Sequence, residues 1–349
     1  MAEEKTERMK WFTPRVKPFV LEGFPFIGEE QVYRRFPINT DYEMHPAMER
    51  LAWDSSGGKV RFHAVVKKLA VKVRLLYFNS VDHMNALGAS GFDCYADDGS
   101  GMRYYASGRF DRSKNEYETV FFELEEPREL EIVINFPCYN QIKEVLFGFD
   151  GDAKITAPKA RSYKKRIAYY GASITQGGCV SRPGMTTTNI LSRRLDAEVL
   201  NFGFDGIGSQ FGVEEAAEMA KVDNVGLFVF ADDGNSPTGA FLAERLPKFL
   251  DTIREKQSDV PIIVLSASPK NHDTLFAVRH QHRLDKKEVM REEVAKRNAA
   301  GDANIYFVDH EEIIGEGWED HTVDGAHLTD YGFMVLANSI QPIIEKIIF

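Results

Sequence analysis

The chain has 349 residues, with 43 Lys and Arg against 53 Asp and Glu, a formal net charge of −10 and a pI of about 5.5. That length predicts two domains with ample core, and the acidic balance, without a basic run, makes nucleic acid and anionic membranes poor partners. Cys94, Cys138 and Cys179 are an odd number without C-x-x-C spacing, so neither a disulfide framework nor a zinc site is implied. No stretch approaches the roughly 18 apolar residues of a membrane helix. The charged start MAEEKTERMK lacks the apolar core of a secretory leader, so a cytoplasmic protein is expected. A secreted protein already stripped of its leader would read the same.

The first half reads as β. Val60, Phe62 and Ala64 alternate with Arg61, His63 and Val65, and Val71, Val73 and Leu75 repeat the pattern. Tyr117 to Leu124 and Leu130 to Phe136 are two further β-rich runs. Turn signals at Ser55–Gly58, Asp97–Gly101 and Ser113–Asn115 punctuate them. Many short strands without a long amphipathic helix predict an antiparallel β-sandwich or jelly roll. The polar stretch FDGDAKITAPKARS, residues 149–162, marks the boundary, giving domains at 1–155 and 156–349.

The second half alternates. Strands are predicted at 167–170, 199–202, 227–230, 262–265 and 305–308, and helices at 187–195, 213–220, 241–255, 286–299 and about 330–347. Apolar runs separated by helices predict a parallel sheet of five strands covered on both faces. Ligands of such sheets bind beyond the carboxyl ends of the strands. Ser173 follows the first strand, Asn201 to Gly206 the second, and Asp232 to Asn235 the third.

The sequence turns on RIAYYGASITQGG, Arg166 to Gly178. It lacks the Lys of a P-loop, the G-x-G-x-x-G of a dinucleotide site and the G-x-S-x-G of an α/β-hydrolase elbow. Ser173 is either a helix cap or a nucleophile. A nucleophilic serine needs a base, usually His, oriented by a carboxylate. His327 in V-D-G-A-H-L-T-D-Y-G-F, with Asp324 three residues before it, has the best context. His321 beside Asp320 and His310 beside Glu311 are rivals. Gly206 and Asn235 are candidate donors to an oxyanion, or simple turn residues.

These four blocks together resemble the SGNH, or GDSL-type, hydrolases. They are G-A-S-I-T-Q-G-G-C-V-S-R-P-G from Gly171, Asn201 to Gly206, Gly234-Asn235, and Asp324-Gly325-Ala326-His327. The resemblance implies a flavodoxin-like three-layer α/β/α domain. It implies Ser173 as nucleophile, His327 as base and Asp324 as its orienter. It also implies an oxyanion hole from the N–H groups of Ser173 and Gly206 and the Asn235 side chain. Ala172 and Leu328 depart from common family residues but remove no catalytic group. The first half resembles the GxDLY domain found before such hydrolases, here with Gly91-Phe92-Asp93-Cys94-Tyr95. Cys94 at the Leu position reads as a small buried hydrophobe.

The expected function is a serine esterase that hydrolyses short acyl esters, acetyl foremost and on a carbohydrate, through an acyl-enzyme. No cofactor and no metal are expected. The partner is a small-molecule or glycan ester, with a homo-oligomer left open. The alternatives are a catalytically weak carbohydrate-binding or interaction protein and a thioesterase or lysophospholipase. Arg182 and Trp318 flank the blocks and are candidate substrate-binding residues, with loop-pinning and packing as the competing roles. His272, His280 and His282 share one polar segment, read as a loop, but fit no zinc spacing. Lys286 to Arg297 reads as a solvated helical face.

Overall fold

The structure is a computed structural model that describes residues 9–78, 81–207, 211–232 and 234–349. Its first unit is an antiparallel sheet of eight strands: β1 (Lys10–Phe12), β2 (Val20–Glu22), β3 (Lys59–Leu75), β4 (Asp93–Asp97), β5 (Arg103–Ser107), β6 (Glu116–Asn135), β7 (Ile142–Phe149) and β8 (Lys154–Thr156). Three short helices, α1 (Ile27–Glu30), α2 (Pro46–Leu51) and α3 (Ala86–Ser90), lie between them.

Two long strands carry this sheet. The first part of β3 pairs with the end of β6 and, on its other edge, with β2 and β8. Its last part pairs with the start of β6 and with β7. The register slips between Val66 and Lys68, where an irregularity bends and twists a strand. The sheet thereby folds over itself. Phe62, from one end of β3, meets Phe147 and Phe149 of β7, which pair with the other end. The two runs expected at 117–124 and 130–136 are therefore one strand of 20 residues. Pro127 falls in the slip, where the ladder asks no N–H of it. Cys94 is buried in this core, and burial pushes its thiol well up.

The second unit is a parallel sheet of β9 (Arg166–Gly171), β10 (Glu198–Gly203), β11 (Val225–Ala231), β12 (Ile262–Leu265) and β13 (Ile305–Val308), in the order β10-β9-β11-β12-β13. Its helices are α4 (Ser173–Gln176), α5 (Thr187–Arg194), α6 (Val213–Ala220), α7 (Gly239–Lys256), α8 (Ala277–Ala299), α9 (His310–Ile314) and α10 (Asp330–Ile348). Strand alternation sends Tyr170, Phe202 and Phe230 to a core with α6, α7 and α8. It sends Tyr169, Val199 and Val229 to a core with α5 and α10. From β9 the chain runs to β10 on one side and then crosses back to β11 on the other. This strand order puts the switch point at the end of β9, where ligands of open α/β sheets bind.

The first unit packs into both cores of the second. Phe36, Met48 and Leu51 join one, and Cys138 and Tyr139 join the other. Arg161, in the connecting segment, ion-pairs with Glu22 of β2 and with Asp196 after α5. Buried Arg61 also pairs with Glu22.

Helix α8 starts at Ala277, nine residues before the expected helix at 286. His280 and His282 are thus helical, and His272 lies in a 3-10 turn at Asn271–Thr274. The start is illegible in sequence because Phe276 at the N-cap provides no side-chain cap. Nor is the face at 286–297 wholly solvated: Lys286 and Glu293 are buried and ion-paired.

Candidate active site

Ser173 stands two residues past the end of β9, as the first residue of α4. Ala172, not Ser173, is the N-cap residue, so the hydroxyl is released from capping. Ser173 Oγ lies 2.9 Å from His327 Nε2. His327 Nδ1 lies 2.7 Å from Asp324 Oδ2. The other Asp324 oxygen accepts the backbone N–H groups of His327, at 2.8 Å, and Ala326, at 3.0 Å. Partial burial pushes the Asp324 carboxyl up, but the His327 ring and these N–H groups outweigh it and bring it down to about 2.

The loop before α10 presents both side chains because it is closed on itself. Val323 N–H donates to His327 C=O at 2.8 Å, and Thr329 N–H to His321 C=O at 2.7 Å. The serine side is fitted to the histidine side in two ways. Ser181 hydrogen-bonds through its N–H and its hydroxyl to the Asp330 carboxylate at the start of α10. A Cβ on Gly178 would stand 3.1 Å from His327 Cδ2 and 3.2 Å from Ser173 C=O, so glycine permits this approach.

Asn235 shares a cleft of about 200 Å³ with Ser173, Asp205, Lys270 and His327. Its loop is gripped by Lys286, which donates to the carbonyls of Gly234 and Ser236 at 3.1 and 3.0 Å. Gly206, next to Asp205, takes a left-handed φ of 72°, which glycine adopts without penalty. The Ser173 N–H belongs to the first turn of α4, where no intrahelical carbonyl reaches it.

Two expected substrate residues do not line this cleft. The Arg182 guanidinium donates to Asp93 Oδ2 at 2.9 Å and to the Tyr95 hydroxyl at 2.6 Å, and stacks over Tyr104. Asp93 and Tyr95 belong to the GxDLY-like motif, so Arg182 joins the two units; the carbonyl-pinning role is replaced by a carboxylate partner. Trp318 is half-buried in the 3-10 turn Trp318–His321 and is not among the residues that line the cleft. The rival histidines are also elsewhere. His310 is fully buried, and burial lowers its ring to about 4. His321 packs edge-on against Tyr331.

Three contributors were not found in the sequence. Gln176 is buried; its amide donates to Asp54 Oδ2 at 3.0 Å and to Cys138 C=O at 3.1 Å, and its carbonyl accepts Asp205 N–H at 2.8 Å. It thereby ties the serine turn to both the first unit and the Gly206 loop. Burial pushes the Asp54 carboxyl up to about 6. Buried Arg35 donates to the carbonyls of Asn201 and Gly203 at the end of β10. His83, from the first unit, places its ring centroid 5.5 Å from that of His327. The Q in S-I-T-Q-G-G was a signal in plain sight, whereas nothing near His83 or Arg35 in sequence points to the serine.

His83, Cys179, Asp324 and His327 each bring a potential metal ligand within 4.8 Å of the others. A metal there would draw Asp324 and His327 away from Ser173, so it would compete with the hydrogen-bonded trio. Cys179 is held protonated, since burial and the Asp324 charge push its thiol up to about 12.

The model of the GDSL-like lipase/acylhydrolase family matches residues 164–345, and that of the N-terminus of SGNH-hydrolase-type esterases matches residues 9–155. No curated protein matches the chain. A Bacteroides ovatus crystal structure described as a GDSL-like lipase is 24% identical, with a TM-score of 0.89 over 97% of this chain and 98% of that one. A salicylyl-acyltransferase from a tetracycline biosynthetic pathway is 14% identical, with a TM-score of 0.75 over 97% of each chain. A family two carbohydrate esterase from Cellvibrio japonicus is 14% identical, with a TM-score of 0.63 over 98% of each. At these identities the likeness is one of fold.

Proposed function

The chain belongs to the GDSL-like lipase/acylhydrolase family, and from that premise we propose that Ser173, His327 and Asp324 hydrolyse a short-chain acyl ester of a carbohydrate, acetyl foremost, through an acyl-enzyme. That it is an ester hydrolase follows from the family. The observation that carries the assignment of roles is the unbroken relay of hydrogen bonds from Ser173 Oγ through His327 to Asp324.

In this mechanism Ser173 Oγ attacks the ester carbonyl while His327 Nε2 takes its proton. Asp324 holds the Nδ1–H tautomer and stabilises the imidazolium. The oxyanion accepts from the Ser173 and Gly206 N–H groups and the Asn235 amide. Collapse returns the proton from His327 to the departing alcohol. Water, deprotonated by His327, then attacks the acyl-serine and releases the acid.

The small cleft supports a short acyl group. Its 200 Å³ falls below the ~300–1,000 Å³ of pockets that engulf larger ligands. Polar walls at Asp205, Asn235 and Lys270 suit a hydroxylated alcohol. A fold neighbour described as a carbohydrate esterase adds support to the carbohydrate part. The test is a series of 4-nitrophenyl esters together with an acetylated oligosaccharide. Rates should fall from acetate to octanoate, and the oligosaccharide should lose acetate. Faster octanoate turnover, or an untouched oligosaccharide, would refute the corresponding part.

A further inference from the structure

A larger cavity of about 480 Å³ adjoins the serine cleft. The two share Asn235 and Lys270 in their walls, so one molecule can occupy both. The walls of the larger one are unusually cationic for a chain of net charge −10. Lys270, Arg279, Arg283 and Lys286 face it, with His272 and His282 between them, and among the described residues of the wall Asp273 is the one carboxylate.

Three of these cations already have partners, Lys270 among them. Arg283 pairs with Asp273 and Glu311, and Lys286 grips the Asn235 loop 3.5 Å from Asp232. Arg279 does not. It is exposed, its guanidinium lies 5.9 Å from the Phe276 ring centroid, and it has no hydrogen bond or ion pair among the described residues. It projects from the first turn of α8, a helix of 23 residues. The positive end of the helix dipole therefore adds to the side-chain charge there. Val278 supplies an apolar patch beside it.

We propose that this cavity is an anion-binding subsite, and that the alcohol portion of the substrate carries a carboxylate or a phosphate. The inference rests on the short-acyl esterase reading above. An acetyl group has no charge of its own, so the anion must sit on the alcohol portion. That portion extends from the serine past Asn235 and meets Arg279. A planar guanidinium suits either anion through paired N–H donors.

The test compares four esters with the full-length protein: 4-nitrophenyl acetate, acetylated methyl glucoside, acetylated methyl glucuronoside and acetylated glucose 6-phosphate. At low salt, kcat/KM for one of the two anionic sugars should exceed that for the neutral sugar by about tenfold, as for a charge-assisted contact. The excess should shrink as salt is raised. Which anionic ester wins tells carboxylate from phosphate. Arg279→Gln should bring the anionic-to-neutral ratio most of the way to one, and Arg279→Glu should invert it. A ratio near one in the unaltered protein overturns the subsite, as does a ratio that ignores both substitutions. Turnover of 4-nitrophenyl acetate in those cases leaves the esterase reading standing. Inertness to all four esters overturns that reading and this inference with it.

Discussion

Asp324→Asn is the sharpest perturbation of the proposed relay, because the structure dictates which way the new amide must face. Asp324 Oδ1 accepts two backbone N–H groups, from Ala326 and His327. In the variant only the amide oxygen can take that place. The NH₂ group then faces His327 Nδ1, 2.7 Å away in the unaltered chain, and donates to it. That hydrogen bond requires Nδ1 to be the acceptor, so the ring proton moves to Nε2. Nε2 then has no lone pair for the Ser173 proton. In serine-protease triads the same trap lowers kcat by about 10⁴, or about 5 kcal/mol of transition-state stabilisation. Asp324→Ala imposes no tautomer and should cost less. The assay is steady-state hydrolysis of 4-nitrophenyl acetate by both variants, with circular dichroism as the check on folding. An Asn variant within tenfold of the unaltered enzyme, or more active than the Ala variant, would refute the orienting role of Asp324.

Asn235→Ala should lower kcat by about 10²–10³ with little change in KM, as for a donor used only by the oxyanion; a change confined to KM would make it a binding residue. Arg182→Ala should lower the melting temperature, because it removes the ion-pair partner of buried Asp93 and leaves that charge to the Asn135 and Gly184 donors, while KM for 4-nitrophenyl acetate stays within about threefold; a KM rise without thermal destabilisation would restore Arg182 to the substrate. Acid should destabilise the fold through His310. Its ring is depressed from 6.5 to about 4 by burial, so its stabilising contribution is complete above pH 6.5 and lost as pH falls towards 4. The full effect is about 3 kcal/mol. Denaturant unfolding of His310→Leu across that range should show a shallower pH slope than the unaltered protein, and an unchanged slope would count against it.

The sequence made the parallel sheet plain because each strand is a short apolar run between polar helices, and β9 to β13 lie where those runs fall. The serine, histidine and aspartate were legible for a related reason. Each stands at a strand end or in a loop that the parallel topology must deliver to one edge. What was hidden depends on partners far away in the chain. Arg182 looks like a pocket residue until Asp93 and Tyr95, almost ninety positions earlier, take its guanidinium. Gln176 stands in the motif, but its work shows only where Asp54, 122 positions away, meets it. The single strand β6 was split in two because its middle, Glu125-Glu126-Pro127-Arg128, is charged and carries a proline. Such a run signals a turn unless a bulged partner strand is there to receive it.

The central claim is that the acyl group is carried by Ser173. Its most direct test is mass spectrometry of the protein during reaction with a fluorophosphonate, followed together with loss of esterase activity. One adduct per chain should form, on the peptide containing Ser173, in step with inactivation, and folded Ser173→Ala should neither label nor turn over ester. Full activity with Ser173 quantitatively modified, or turnover by the Ala variant, would contradict the account.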